Sequence, residues 1–389
     1  MKITDVVCHV LLAPNYDPGF TSSAQDSFLV VVHTDEGLQG IGESDVNPWI
    51  AKACIEAPGT HTMGLSIKDM LIGEDPRDIA AIWRKLYRGS AMNGRRGAVI
   101  NAIGAVDMAL WDLRGKIEGL PVHRLLGTKR PDKVVPYASL QPAGDSFEAY
   151  RDALCASAEK AKSLGFKAVK AEVTMNGPYA HSGLRESYDR HTEVVAAVRK
   201  TLGDEVTLMI DVQYLWEDAA TCLSVVRDWA EFDCYFLETP IWVDYLDEYA
   251  KLAAEAPMRI ASGEWLSTHH EFEALMDRGK IGVVQPDVGR VGGLSEARTV
   301  CDMAADRGLT VVPHCWKTGV SISATAHLAW VTPHCAFIEY LPPQLCLETL
   351  RKELAFEDFT LENGVISEPS RPGLGFELDW EALEAYKVA

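Results

Sequence analysis

VTLMID (Val206–Asp211), CYFLE (Cys234–Glu238) and RIASGE (Arg259–Glu264) are three apolar runs that each close on a carboxylate. The acidic residues lie 27 and 26 residues apart, about the length of one strand–helix unit in a (β/α)8 barrel of ~250 residues. IGVVQPD and LTVVPH continue the rhythm to Asp287 and His314, and CAFIEYL carries Glu339. In such a barrel the strand C-termini converge on one mouth, so Asp211, Glu238 and Glu264 would form an oxygen-ligand cluster for a hard divalent cation. One acidic residue at a strand end is ordinarily a cap, a turn residue or a solvated charge. Three in phase are costly to bury together unless a cation joins them.

Working outward, VVPYASL and AVKAEV precede these runs and bring the strand count to eight, with helical patterns such as DRHTEVVAAVRKTLG between most of them. Residues 1 to about 45 alternate as a β-meander, turning at Asp35-Glu36-Gly37. From about 65 to 127 the period is helical. The last stretch, from FTLENGV onward, reads as short strands and turns outside the barrel repeat.

The bulk properties fit an enzyme with a large core. Of 389 residues, 47% are hydrophobic, yet no run approaches the ~18 apolar residues of a membrane span. The N-terminus lacks a signal peptide's cleavage pattern, and nine cysteines without a CxxC spacing read as reduced thiols; a cytoplasmic location is expected. A net charge of -19 argues against nucleic acid and anionic membranes as partners. A small anionic substrate stays open, because a bound cation would dominate its own site.

The segment AIGAVDMALWDLRGKIEGLPVHRLLG (Ala102–Gly127) resembles the signature of the mandelate racemase and muconate lactonizing enzyme branch of the enolase superfamily. QPDVGRVGGLSEA (Gln285–Ala297) is similar to its sixth-strand segment, and LETP and SGEW to its metal-ligand strands. The resemblance covers nearly the whole chain. It implies an α/β fold: an enolase-type modified (β/α)8 TIM barrel over residues 131–350, with an α+β capping domain over 1–130 completed by a returning segment, 351–389. It also implies Mg2+ as cofactor, held by Asp211, Glu238 and Glu264, and a symmetric homo-oligomer.

The family's common step removes the proton alpha to a carboxylate. A divalent cation on the carboxylate oxygens stabilises the charge that develops, more than it stabilises the ground state; the handling of such sites with a Lys or His base beside Mg2+ is well known for this superfamily. His314 and Asp287 resemble its His–Asp dyad, with the carboxylate orienting the ring and raising its basicity. Glu339 matches an acid on the last strand near the substrate carboxylate. Trp316 is a candidate pocket residue, or simply a packing aromatic.

Two departures set the expected reaction. Many members carry Lys-x-Lys on the second strand, the second Lys being the other base; here AVKAEV puts Lys170 in the first place and Glu172 in the second. Both face inward by strand alternation, and Lys170 is expected to pair with Glu172 or touch the substrate carboxylate. Gln213 stands where an Asn is common. A racemase needs two good acid/base groups, whereas a dehydratase can work with one. The expectation is therefore a Mg2+-dependent dehydratase of an acid sugar, an aldonate or aldarate. The alternatives are a racemase or epimerase of a 2-hydroxy or amino acid, and a catalytically silent binding relative that keeps the fold.

Overall fold

Alternation of apolar residues over the first 45 positions produces an antiparallel sheet of β1 (Ile3–Leu12), β2 (Asp26–Thr34) and β3 (Gln39–Ser44) in a computed structural model that describes all of residues 1–389. Gly37, at φ 81°, makes the β2–β3 turn where a side chain would be strained. Five helices follow: α1 (Pro48–Glu56), α2 (Ile67–Leu71), α3 (Ile79–Gly89), α4 (Ala98–Glu118) and α5 (Val122–Leu126).

Helix α4 is the segment that carries the family resemblance, and it is buried over most of its length. It lies almost on the backbone of β3. A Cβ at Gly40 would stand 2.0 Å from the Ala109 carbonyl oxygen, and one at Gly42 would stand 1.9 Å from that of Ala105. The two glycines, alternate residues on one face of the strand, are the space that lets helix and sheet meet.

The barrel strands are β4 (Pro136–Leu140), β5 (Ala168–Glu172), β6 (Thr207–Asp211), β7 (Cys234–Glu238), β8 (Arg259–Ser262), β9 (Val283–Val284), β10 (Thr310–Val311) and β11 (Ile338–Tyr340). A helix separates each consecutive pair: α6 (Phe147–Ser163), α7 (Tyr188–Leu202), α8 (Ala219–Val226), α9 (Leu246–Glu255), α10 (Thr268–Asp277), α11 (Leu294–Asp306) and α12 (Gly319–Ala329). All pairings are parallel, from β4 round to β10, with β11 beside β4. A parallel bridge between Val311 and Cys335 joins the β10 side to the start of the β11 run and closes the ring. β9 and β10 are shorter than IGVVQPD and LTVVPH suggest. Pro286 and Pro313 have no N–H to give the ladder, so regular pairing stops before the functional residues.

Inside the ring, Tyr137, Ala168, Met209, Phe236, Ala261, Val283 and Val312 form one buried layer drawn from six successive strands and the residue just past the seventh. Such filling makes the barrel a packed core with a site only at its mouth. After β11 come α13 (Thr349–Glu353), two two-residue antiparallel pairings, one nested inside the other, and α14 (Trp380–Tyr386). The chain end then meets the meander: Val388 N donates to Val10 O and Val10 N to Ala389 O, each at 2.9 Å. No helix is long and apolar enough to cross a membrane, and all nine cysteines are free.

Asp112 on α4 binds three parts together. Its buried carboxylate accepts from Ile41 N (3.0 Å), Leu374 N (2.9 Å) and Lys116 Nζ (2.7 Å). Asp112→Ala would leave two buried N–H groups unpaired. It should cost about 3–5 kcal/mol, read as a lower urea midpoint with unchanged slope.

Candidate active site at the barrel mouth

Strand register aligns the first three carboxyls. Glu172 pairs with Asp211, and Asp211 with Glu238, so the three stand side by side where β5, β6 and β7 end. Each lies an even number of residues above an inward-facing core residue (Ala168, Met209, Phe236), so each points into the mouth. Glu264 follows the end of β8 and Gly263, whose φ is 128°. Asp287 and His314 form their own parallel bridge just beyond β9 and β10.

Lys170 sits among the carboxylates. Its Nζ lies 2.7 Å from Glu238 Oε1, 2.8 Å from Glu339 Oε1 and 3.6 Å from Asp211 Oδ2. Its recorded ion pairs are with these three rather than with Glu172, the partner its sequence spacing suggests. Burial opposes its charge, but Glu238 and Glu339 outweigh that and hold its pKa well above the usual value. These carboxylates favour its charged form. Burial likewise works against Glu339, yet Lys170 and His314 keep that carboxylate ionised, down to about 2.

The other carboxyls are under-compensated. Burial pushes Glu238 up to about 8 against the pull of Lys170, although Gln285 Nε2 donates to its Oε2 at 2.7 Å. Burial also raises Asp211, whose Oδ1 accepts from Gln213 N and Thr239 Oγ1, each at 3.0 Å. On the neighbouring strand, burial and then Asp211 push Glu172 up to about 8, with only Thr174 Oγ1 donating to it at 3.1 Å. Glu172, Asp211 and Glu238 thus stand side by side, with the single ammonium of Lys170 among them. Their all-oxygen donor set fits a hard divalent cation.

His314 is held at both nitrogens. Nδ1 lies 2.6 Å from Asp287 Oδ2, and Asp287 Oδ1 accepts from Gly289 N at 2.7 Å. Nε2 lies 3.0 Å from Glu264 Oε2 and 3.6 Å from Glu339 Oε2. Burial would lower the ring's pKa, but Glu339, Glu264 and Asp287 together raise it to about 9. The ligand atoms of Glu238, Glu264 and His314 come within 4.8 Å of one another. Asp211, the third ligand expected from spacing, stands beside this trio with its Oδ2 toward Lys170.

The expected residues fall into two layers. Lys170, Glu172, Asp211, Gln213, Glu264, His314 and Trp316 line one cavity of about 170 Å³. Glu238, Asp287 and Glu339 lie directly behind them through the contacts above. Trp316 Nε1 donates to Ser22 Oγ at 3.1 Å, tying the loop before β2 to the barrel.

Sequence reasoning missed several participants. Gln285 had a signal, since it lies two residues before Asp287 on the same inward face. Arg290, hidden in a glycine-rich turn, reaches Asp45 Oδ2 at 2.5 Å and Glu264 Oε2 at 3.6 Å. Tyr214, whose OH donates to Glu264 Oε1 at 2.8 Å, stacks on Trp265 at 4.3 Å between ring centroids; Tyr179 meets Trp265 edge-on. Nothing local marks these aromatics as a group, because they come from three different loops.

Comparison with known proteins accords with this architecture. Residues 4–127 match the mandelate racemase / muconate lactonizing enzyme N-terminal domain, and residues 153–382 match the enolase C-terminal domain-like family. The chain is 30% identical to a D-galactarolactone cycloisomerase of Agrobacterium fabrum, over 100% of this chain and 99% of that one. It is 31% identical to an arabinonate dehydratase of Saccharolobus solfataricus, over 95% and 92%. A solved racemase from Streptomyces coelicolor with bound magnesium superposes with a TM-score of 0.82 at 26% identity, over 99% and 100%. With both halves matched and the mouth built from six strand-end carboxyls and a His–Asp pair, this chain is an enzyme of the mandelate racemase / muconate lactonizing enzyme family within the enolase superfamily.

Proposed function

We propose that the protein is a Mg2+-dependent hydro-lyase that dehydrates an acid sugar to a 2-keto-3-deoxy acid. The observation that carries this reading is His314, which lines the cavity and is braced from behind by Asp287, beside Lys170, a cation held by Glu238 and Glu339. Kinship with an arabinonate dehydratase supports the same reaction class. Nine free thiols support a cytoplasmic setting.

Asp211, Glu238 and Glu264 would hold the cation, with His314 directly beside Glu264. When bound, Mg2+ supplies positive charge opposite the substrate carboxylate, where negative charge grows as the alpha proton leaves. Lys170 adds a second, permanent cation to that end of the cavity. Asp287 holds the His314 ring through Nδ1 and leaves Nε2, 3.0 Å from Glu264 Oε2, on the cavity side; drawing Glu264 to the cation would loosen its hold on the ring proton and leave Nε2 to take the alpha proton. After taking the proton, the imidazolium donates it to the beta hydroxyl as the C–O bond breaks, and the enol product tautomerises.

A second reading, epimerisation, rests on Glu172. Its pKa near 8 makes it an acid that can return a proton from the β5 side of the cavity, three strands round the ring from His314.

Removing divalent cations with EDTA should abolish keto-acid formation over a panel of acid sugars, and Mg2+ should restore it. Glu238→Gln should be inactive yet folded by circular dichroism. Undiminished turnover in the chelated enzyme would rule out the metal assignment.

His314→Asn should lose both dehydration and exchange of the alpha proton with solvent deuterium, by at least about 1,000-fold. Glu172→Gln separates the two reactions: a dehydratase keeps measurable turnover, whereas an epimerase loses inversion but still exchanges the proton facing His314. Wild-type exchange in the His314 variant would eliminate this mechanism.

A further inference from the structure

Beyond the reaction, the cavity wall selects among acid sugars. We infer that the substrate is a monocarboxylate, an aldonate rather than an aldarate, whose carbon chain presents neutral hydroxyls and a C–H face to Trp265. The inference rests on the acid-sugar reading above and concerns the wall that Gln213, Trp265 and Arg290 give the cavity.

The first observation is the state of the cations. Three cationic side chains line the cavity, Lys170, Arg290 and His314, and each is already paired. Lys170 and His314 belong to the carboxylate cluster. Arg290 is spent on Asp45 at 2.5 Å, with Glu264 at 3.6 Å as its second neighbour. Past Arg290 and Trp265 a second hollow opens, and its wall carries Asp26 and Asp45. Lys317 behind them is balanced in turn, 2.7 Å from Asp26 and 3.3 Å from Asp45. A second substrate carboxylate would meet no free cation there and two fixed anions. Burying an unpaired charge in that setting is heavily disfavoured.

The second observation is what the wall offers in place of charge. Gln213 Oε1 is a buried acceptor without a hydrogen-bond partner, and a carbonyl oxygen is completed by a hydroxyl donor, never by a carboxylate. Thr21 and Ser23 add small hydroxyls from the loop before β2. Trp265 is 37% exposed, held by Tyr214 at 4.3 Å and Tyr179 at 5.6 Å. A large aromatic held this rigidly is a platform for the apolar face of a polyol or its ring form.

The experiment uses matched acid pairs that differ only at the far carbon, galactonate against galactarate and gluconate against glucarate. With the Mg2+-loaded enzyme, kcat/KM for keto-acid formation and binding by quenching of tryptophan fluorescence are measured separately. The preferred aldonate should exceed its aldarate by about 100-fold in kcat/KM and should bind more tightly. Trp265→Ala should raise KM for the aldonate about tenfold with a smaller effect on kcat, and Trp265→Phe should recover most of the loss. An aldarate that binds or reacts as well as its partner overturns the inference, as does failure of every aldonate to bind. Aldonates that bind selectively without yielding keto acid would support this substrate class while removing the dehydratase reading.

Discussion

Six carboxyls, Glu172, Asp211, Glu238, Glu264, Asp287 and Glu339, are buried around one barrel mouth, and the arrangement there follows from keeping them charged or protonated at tolerable cost. Lys170 neutralises Glu238 and Glu339 from below, and His314 is drawn between Asp287 and Glu264. Gln285 and Thr239 supply neutral donors to the oxygens these cations do not reach. Even so, burial leaves Glu238 and Glu172 with pKa values near 8. Parallel register creates this congestion, because it brings adjacent strand ends to one height, and the same congestion makes the mouth a place for a divalent cation.

The cap is attached to this charge system as well as to the barrel's apolar surface. Asp45, just after β3, receives both Arg290 and Lys317 from the barrel side. Behind the mouth, Asp107 on α4 accepts from the backbone N and the hydroxyl of Ser295 at the start of α11, at 3.0 and 2.6 Å. Asp112, five residues on, takes β3 and the tail segment at Leu374. The acidic positions of the α4 segment are thus structural ties. A sequence scan that counts every buried Asp as functional would mistake them for a second site.

Much of this was legible because it depends on period. The eight apolar runs, their order and the inward face of Lys170 and Glu172 follow from strand alternation and unit length. The ends of β9 and β10 were less so, because Pro286 and Pro313 cut the ladder before Asp287 and His314. The pairing of Lys170 was not legible: its spacing offers Glu172 two residues away, but the chosen partners, Glu238 and Glu339, come from strands two places round the ring in opposite directions. Arg290, Asp45 and the Tyr179–Tyr214–Trp265 group escaped for the same reason. Each is a contact between loops far apart in sequence, with no local pattern to betray it.

Placing Glu172 where relatives often hold a lysine base changes how protons are shared at the mouth. A lysine there would add positive charge beside Asp211; a glutamate adds to the negative charge, and burial answers by keeping it protonated up to a pH of about 8. Burial and Asp211 favour the protonated form of Glu172, while Asp287 favours proton uptake by His314. The two walls are unequal by construction. Reversible inversion needs each wall to act in both senses, and here one wall is a carboxyl buried beside Asp211 while the other is an imidazole braced by Asp287. Elimination has no such demand, since the one group that removes the alpha proton can return it to the departing hydroxyl on the same face.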